Sequence, residues 1–279
     1  MEKVVICGAA RTPMCGFQGN FDGIPAAHLG GAAIKAAMSG AGVSSVDEVI
    51  MGNVLSAGQG QAPARQAGFV AGLDVSVPAT TLNKMCGSGM KTVMVGFDQV
   101  SLGQTNVMAV GGMESMSNAP YILPNMRSGK RLGHDEVKDH MFIDGLEDVY
   151  EKGRLMGTFA EDCAEKYQFT REVQDDYALT SLSNAFKAQE AGAFVNEIVE
   201  FSYKTRKGEV TISNDEQPAK ANPEKIPHLK PAFRKNGTVT PANSSSISDG
   251  AAALVLASKS YANKNHLNVR ARILGHASH

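Results

Sequence analysis

Cys86 stands in the stretch TLNKMCGSGMKTV, residues 81–93, between a strand-like run and a helical pattern, and is followed at once by Gly87, Ser88 and Gly89. A cysteine at such a corner faces the partial positive charge of a helix start and several backbone N–H groups without intrahelical partners. Together these favour thiolate over thiol. Gly87 and Gly89 let a substrate approach the backbone closely, and the amide at the corner is placed to stabilise the oxyanion formed when a thiolate attacks a thioester or other acyl carbonyl. The same residues also suit a small buried hydrophobe in a tight turn, so the stretch alone leaves both readings open.

The other titratable candidates point elsewhere. Cys7, Cys15 and Cys163 form no CxxC pair with each other or with Cys86, so neither a zinc site nor a disulfide framework is expected. Cys7 reads as buried strand filling and Cys163 as part of a helix stripe, while Cys15 lies in a Gly-flanked loop that permits either role. His134 and His140 are separated by six positions among acidic residues, a spacing that suits neither one helical face nor a metal pair. They are expected at the surface, and no metal site is expected. There is no Walker loop and no strand–GxGxxG–helix fingerprint, and GQG at 58–60 is too short to mark a nucleotide site.

The elements that must position Cys86 alternate through the first third: KVVICGA, then AAIKAAM, EVIMGNV, ARQAGFVAGL, ATTLN, a helix over 87–103, and NVMAVGGM. Strand and helix patterns in this order predict βαβ units on a largely parallel sheet. In the helix after Cys86, Met90, Val93, Phe97 and Val100 recur at spacings of three and four, the stripe of a helix packed on something apolar. YILPNMRSGKRLGHDEVKDHMFIDGLED, residues 121–148, reads as the start of an excursion from that sheet, charged and punctuated by Gly and Pro. After it Thr158 and Glu161 form a capping-box signature, with Phe159, Cys163 and Tyr167 on one helical face. A second helix is predicted over 170–191, with Val173, Tyr177, Leu182, Ala185 and Phe186 near one side. EIVEFSY and GEVTI then read as strands joined by a basic turn. SDGAAALVLAS and RARILGHA restore strand character near the end.

Composition bounds the function. The chain has 279 residues, 43% hydrophobic and 20% charged, with a formal net charge of -1, which gives no electrostatic reason for nucleic acid or an anionic membrane as the main partner. MEKVVICGAARTP is too short in its apolar run for a signal peptide, and no segment supplies the roughly 18 consecutive apolar residues of a membrane span. A cytoplasmic location is expected.

NKMCGSGMK, residues 83–91, resembles the nucleophilic-cysteine motif of the thiolase family. Around it RTPMCGFQG, GQGQAPARQA, GGMESMSNAPY, MRSGKRLG, LMGTFAE and NSSSISDGAAALVL resemble that family's landmarks in the family's order, over essentially the whole chain. The resemblance implies a thiolase-like α/β fold: a mixed sheet flanked by helices from residues 1–117 and 243–279, interrupted by a loop domain over 118–242. It implies that Cys86 takes an acyl group from acyl-CoA and passes it on, condensing two acetyl-CoA to acetoacetyl-CoA and CoA. Ser245 then matches a serine that contacts the pantetheine arm, with Ser244 beside it, and Met156 matches a pocket-lining methionine. Lys220 is a loose match to a basic CoA contact. Arg127, Lys130 and Arg131 match a cationic loop near oligomer contacts and the CoA site, although as residues they equally suit a solvated surface. Coenzyme A thioesters enter as substrates and no cofactor is implied.

The sequence departs from the family pattern in two respects. Leu155 stands before Met156 where many members carry His. The Asn-Glu-Ala-Phe-like, Gly-His-Pro and Cys-Gly-Gly-Gly motifs of the family's second sheet domain do not occur, and GHA at 275–277 lies too early to replace the second. The expectation is therefore that the C-terminal thiolase domain is absent. Positioned acid–base groups of the kind it supplies contribute about 10²- to 10⁴-fold in rate, so the chain alone is expected to show little or no activity. Expected partners are acetyl-CoA and other acyl-CoA, and either a second copy in a dimer or tetramer or a complementary C-terminal half. A catalytically inert fragment with a binding or assembly role is the alternative.

Overall fold

The structure is a computed structural model that describes residues 2–278. The first third alternates as the periodicity requires: β1 (Val4–Arg11), β2 (Cys15–Gly16), α1 (Ala26–Ala41), β3 (Glu48–Gly52), α2 (Pro63–Val70), β4 (Ala79–Leu82), α3 (Ser88–Ser101) and β5 (Val107–Ser115). The excursion follows. It holds a short hairpin of β6 (Tyr121–Ile122) and β7 (Lys138–Asp139), the helices α4 (Met156–Tyr167) and α5 (Arg171–Glu190), a second hairpin of β8 (Phe201–Thr205) and β9 (Gly208–Ile212), and one turn of helix, α6 (Glu216–Lys220). The chain then returns through β10 (Ser248–Ser258), α7 (Lys259–Lys264) and β11 (Ala271–Arg272).

The principal sheet runs β11-β1-β10-β5-β3-β4, with β2 added beside β10. Every strand in it comes from outside residues 118–242. β3 pairs in parallel with β4 and β5, as two successive βαβ crossovers require. The sheet is nevertheless mixed rather than largely parallel, because β10 returns from the excursion and inserts antiparallel between β1 and β5. Its last four residues, Val255–Ser258, are all buried, so alternation is lost there.

Helices cover both faces. α1 and α2 pack on one side around Leu29, Ile34, Met51 and Val255. α3 lies on the other, over Ile50, Met108, Val110 and Leu256. The stripe foreseen on α3 is only partly used. Val100 is buried and Val93 and Phe97 pack at the edge of that core, but Met90 is 73% exposed. The helix is rotated toward Thr92 and Gly96, because the missing side chain at Gly96 allows close approach: a Cβ there would lie 2.8 Å from Val110 Cγ1.

The excursion differs from its sequence reading at α4. The helix begins at Met156 with Leu155 as N-cap, and Thr158 Oγ1 donates to Leu155 O, so Thr158 is not a capping residue. Cys163 and Tyr167 are exposed and do not form a buried stripe. α5 begins where expected, with the Thr170 hydroxyl accepting the Val173 N–H, but Tyr177 is 79% exposed and the only buried residue of the helix is Asp175.

The seat of α1 on the sheet has a sharp requirement. A Cβ on Gly8 of β1 would stand 2.0 Å from the carbonyl oxygen of Ala37, which is backbone and cannot rotate away. Gly8→Ala is expected to destabilise the fold by about 1–3 kcal/mol or more, read as a lower urea midpoint at unchanged slope; an unaltered midpoint would show that the helix can shift freely.

Candidate active site

The turn that carries Cys86 is built by hydrogen bonds to its neighbours. After β4 ends, Asn83 Oδ1 accepts the Met85 N–H at 2.9 Å. The Ser88 hydroxyl accepts from Lys84 N at 2.9 Å and donates to Met85 O at 2.5 Å. The Gly87 and Ser88 amides close on Lys84 O and Met85 O. Met85 is held at a φ of 50°, in the left-handed region that a methionine adopts only when its surroundings impose it. Cys86 follows directly and is exposed, two residues before α3 begins. The reading of it as a buried hydrophobe is thereby excluded. Ser88, which ties this turn together, was not singled out from the sequence; its place three residues after Met85, at the first turn of a helix, is the signal that marks it.

Beneath the turn the helix start rests directly on strand backbone. A Cβ on Gly52, the last residue of β3, would lie 2.7 Å from Ser88 C and 2.8 Å from Gly89 N. Thr92 Oγ1 lies 2.9 Å from Gly111 O of β5. At the end of β5, Glu114 turns back to hold the loop after β3: its carboxylate accepts from Asn53 Nδ2 at 2.7 Å, Val54 N at 2.8 Å and Leu55 N at 3.2 Å. Burial pushes the Glu114 carboxyl above its ordinary 4.5, against the pull of these donors. His140 is itself buried, not at the surface as the sequence suggested. Its Nε2 accepts the Ala57 N–H at 3.3 Å, so Nδ1 carries the proton donated to Asp144 at 2.6 Å.

The other thiols are unsuited to attack. Cys7 and Cys15 are fully buried. Burial raises the Cys7 thiol, and burial together with the carboxylates of Glu216, Asp249 and Asp215 pushes Cys15 up to about 12. Cys163 is exposed on α4, away from any such turn. His276 is no partner for Cys86. Its Nε2 lies 2.9 Å from Asp98 Oδ1 and its ring stands edge-on to Phe97. Asp98 is ten residues beyond Ser88 on α3, about 15 Å along the helix.

The serine loop lies along the same edge of the sheet. Gly52 pairs with Leu82 on one side and Gly112 on the other, and Ser115 pairs with Asp249, so the start of β10 shares its edge with the end of β4. Three inter-strand steps separate them, about 14 Å. A ligand touching both Cys86 and the loop must be elongated. Ser244 Oγ donates inward to Thr240 O at 2.7 Å, whereas Ser245 is exposed. Both line a cavity of about 660 Å³ together with Ser246, Tyr177, Arg11 and Gln217. Arg11 is held there by Asp215 and Glu197. Cys86, Met156 and Lys220 do not line this cavity. Met156 opens α4 and is 46% exposed, and Lys220 Nζ lies 2.5 Å from Glu216 Oε1. Arg127, Lys130 and Arg131 are exposed on the loop between β6 and β7. Among the described residues no group of three or more His, Cys, Asp or Glu side chains is placed to hold a metal ion, and no helix is long and apolar enough to cross a membrane.

Known proteins match this chain in sequence and in fold. Residues 4–260 match the family described as Thiolase, N-terminal domain. The chain belongs to the thiolase family. Acetyl-CoA acetyltransferase 2 of Arabidopsis thaliana is 51% identical over 280 residues, which cover 99% of this chain and 69% of that protein. The acetyl-CoA acetyltransferase of Pseudomonas aeruginosa is 48% identical over 282 residues, 100% of this chain and 72% of that one. The crystal structure of the Bacillus anthracis acetyl-CoA acetyltransferase superimposes with a TM-score of 0.94 at 40% identity, covering 98% of this chain and 70% of the other. The structural match extends over the mixed sheet and its flanking helices.

Glu114, half-buried near the end of β5 where it holds the loop after β3, gives a pH test. An acid whose folded value lies above its unfolded one binds more protons when folded, so its contribution to stability falls as pH rises through that interval. Compared with Glu114→Gln, which does not titrate, the wild-type protein is expected to gain stability as pH falls from neutral toward 4.5. Parallel denaturation curves for the two proteins across this range would contradict the assignment.

Proposed function

We propose that this thiolase carries the acyl-transfer chemistry for which its relatives are named, acetyl-CoA C-acetyltransferase activity, with Cys86 as the nucleophile. The observation that carries the reading is an exposed thiol fixed directly before α3, on the sheet edge that also bears the Ser244–Ser245 loop. The Cys86 thiolate attacks the thioester carbonyl of acetyl-CoA, the bond from carbonyl carbon to CoA sulfur breaks, and CoA leaves as the thiol after taking up a proton. A second acetyl-CoA loses an α-proton to a base, and its carbanion attacks the carbonyl of acetyl-Cys86. Acetoacetyl-CoA is released and the Cys86 thiolate is regenerated. In the reverse direction CoA cleaves the 3-ketoacyl thioester by the same steps.

The amides of the helix start suit the oxyanion of each attack, because they are backbone groups already fixed by packing. Ser245 is assigned to the pantetheine arm, Ser244 to shaping the loop, and Met156 to the acyl pocket. Lys220 would have to leave Glu216 to reach a phosphate, so its part is the smallest. Among the described residues no His, Asp or Glu side chain hydrogen-bonds the Cys86 sulfur. We assign the proton transfers to acid–base groups of a complementary thiolase half or of another subunit in a dimer or tetramer. The cytoplasmic location foreseen from composition is kept as part of this reading.

The test is direct. Incubation with acetyl-CoA followed by peptide mass spectrometry is expected to find an acetyl group on the peptide containing Cys86, and Cys86→Ala to abolish it with an unchanged melting temperature. An adduct that survives the substitution, or none on Cys86 in the presence of a complementary thiolase half, would overturn the proposal.

A further inference from the structure

The serine loop has a second feature that the acyl-transfer reading does not use. The only buried residue of the twenty-residue helix α5 is charged: Asp175 is 5% exposed while the apolar residues around it remain partly or largely open. Burying a carboxylate is costly unless it is paired and hydrogen-bonded. Asp175 is both. Its Oδ2 takes the Arg171 Nε–H at 2.6 Å, and its Oδ1 takes the Asn243 Nδ2–H at 2.9 Å.

Asn243 passes that restraint into the loop. The same Nδ2 reaches Thr238 O at 3.1 Å, and Oδ1 accepts the Thr240 N–H at 2.7 Å, so the amide is used at both ends. Thr240 O in turn receives the Ser244 hydroxyl. On the far side Glu161 of α4, also buried, accepts the amides of Thr238 and Val239 at 2.9 Å each. The loop is therefore clamped from two helices by two buried carboxylates, and its inward-turned Ser244 leaves Ser245 as the hydroxyl that faces outward. Charge-assisted bonds of this kind fix geometry more strongly than neutral ones.

We propose that Asp175 is a positioning residue for acyl-CoA binding: through Asn243 it sets the loop at 240–245 and so presents the Ser245 hydroxyl to the amide-bearing arm of the substrate. The inference rests on the assignment of Ser245 to that arm. It concerns where Ser245 points, and Asp175 itself touches neither the substrate nor the reacting thioester.

The experiment measures acetylation of Cys86 against donor concentration, with acetyl-CoA and with S-ethyl thioacetate, which has the same acyl thioester but no amide arm. Asp175→Ala is expected to raise the half-saturating acetyl-CoA concentration about tenfold and to leave transfer from S-ethyl thioacetate unchanged. Asp175→Asn, which keeps the Oδ1 acceptor, is expected to recover most of the loss. Ser245→Ala should weaken acetyl-CoA use by itself and add nothing in the Asp175→Ala background, since both act through one hydroxyl. Additive effects, equal slowing of both donors, or an unchanged half-saturation in Asp175→Ala with Ser245→Ala still harmful would overturn the positioning role alone. A Ser245→Ala protein that uses acetyl-CoA normally would overturn the assignment of Ser245 and the positioning role with it. If Asp175→Ala melts below the assay temperature, Asn243→Ala breaks the same link from a less buried position, and the same outcomes decide.

Discussion

The contact on which the site depends is the one between the first turn of α3 and the glycines of the strands beneath it. At Gly52 a single added carbon would collide with the Ser88 and Gly89 backbone, and the Thr92 hydroxyl lies within hydrogen-bonding distance of Gly111 O on the neighbouring strand. Because interiors are packed as densely as crystals, such a contact leaves the helix little freedom to slide. The turn before it must then close over a fixed distance. Ser88 and Asn83 close it with side-chain hydrogen bonds, and Met85 accepts a left-handed backbone. Cys86 is thus held in place by backbone packing rather than by a side-chain partner.

A second theme is the use of buried and half-buried carboxylates to hold loops. Glu114 secures residues 53–55, Glu161 secures 238–239, and Glu216 accepts the Gly16 and Asn20 amides. Asp249, at the start of β10, accepts the Ser117 amide and hydroxyl. Their charge states differ with their partners. Burial raises Glu114 and Asp249 despite their donors, whereas at Glu216 the Lys220 ammonium and two amides outweigh burial and lower it. Loops carrying polar residues need such acceptors because unpaired buried N–H groups are costly.

Local pattern was enough to read the elements around Cys86, since strand runs and helical spacing are properties of a dozen neighbouring residues. It marked Cys86 as a candidate without deciding between a nucleophile and a buried hydrophobe, and the resemblance of NKMCGSGMK and its companion stretches to thiolases agreed with the family later matched. What pattern missed depends on distant chain. The antiparallel insertion of β10 joins residues more than 130 positions from β5, and nothing in SDGAAALVLAS states its direction. Thr158 and Glu161 had capping-box spacing, but Glu161 is taken by amides 77 positions away. Met90 fitted an apolar stripe that Gly96 rotates toward solvent. His140 looked like one charged residue among many until the loop at Ala57 folded over it.

The contact beneath the thiol is tested most directly by the single-turnover rate at which acetyl-CoA acetylates Cys86 in a Gly52→Ala protein. If close backbone packing sets the sulfur's position, the added methyl lifts the helix start and the rate falls on the order of 10²-fold, with the circular dichroism spectrum unchanged. A Gly52→Ala protein that is folded and acetylated at the wild-type rate would contradict it.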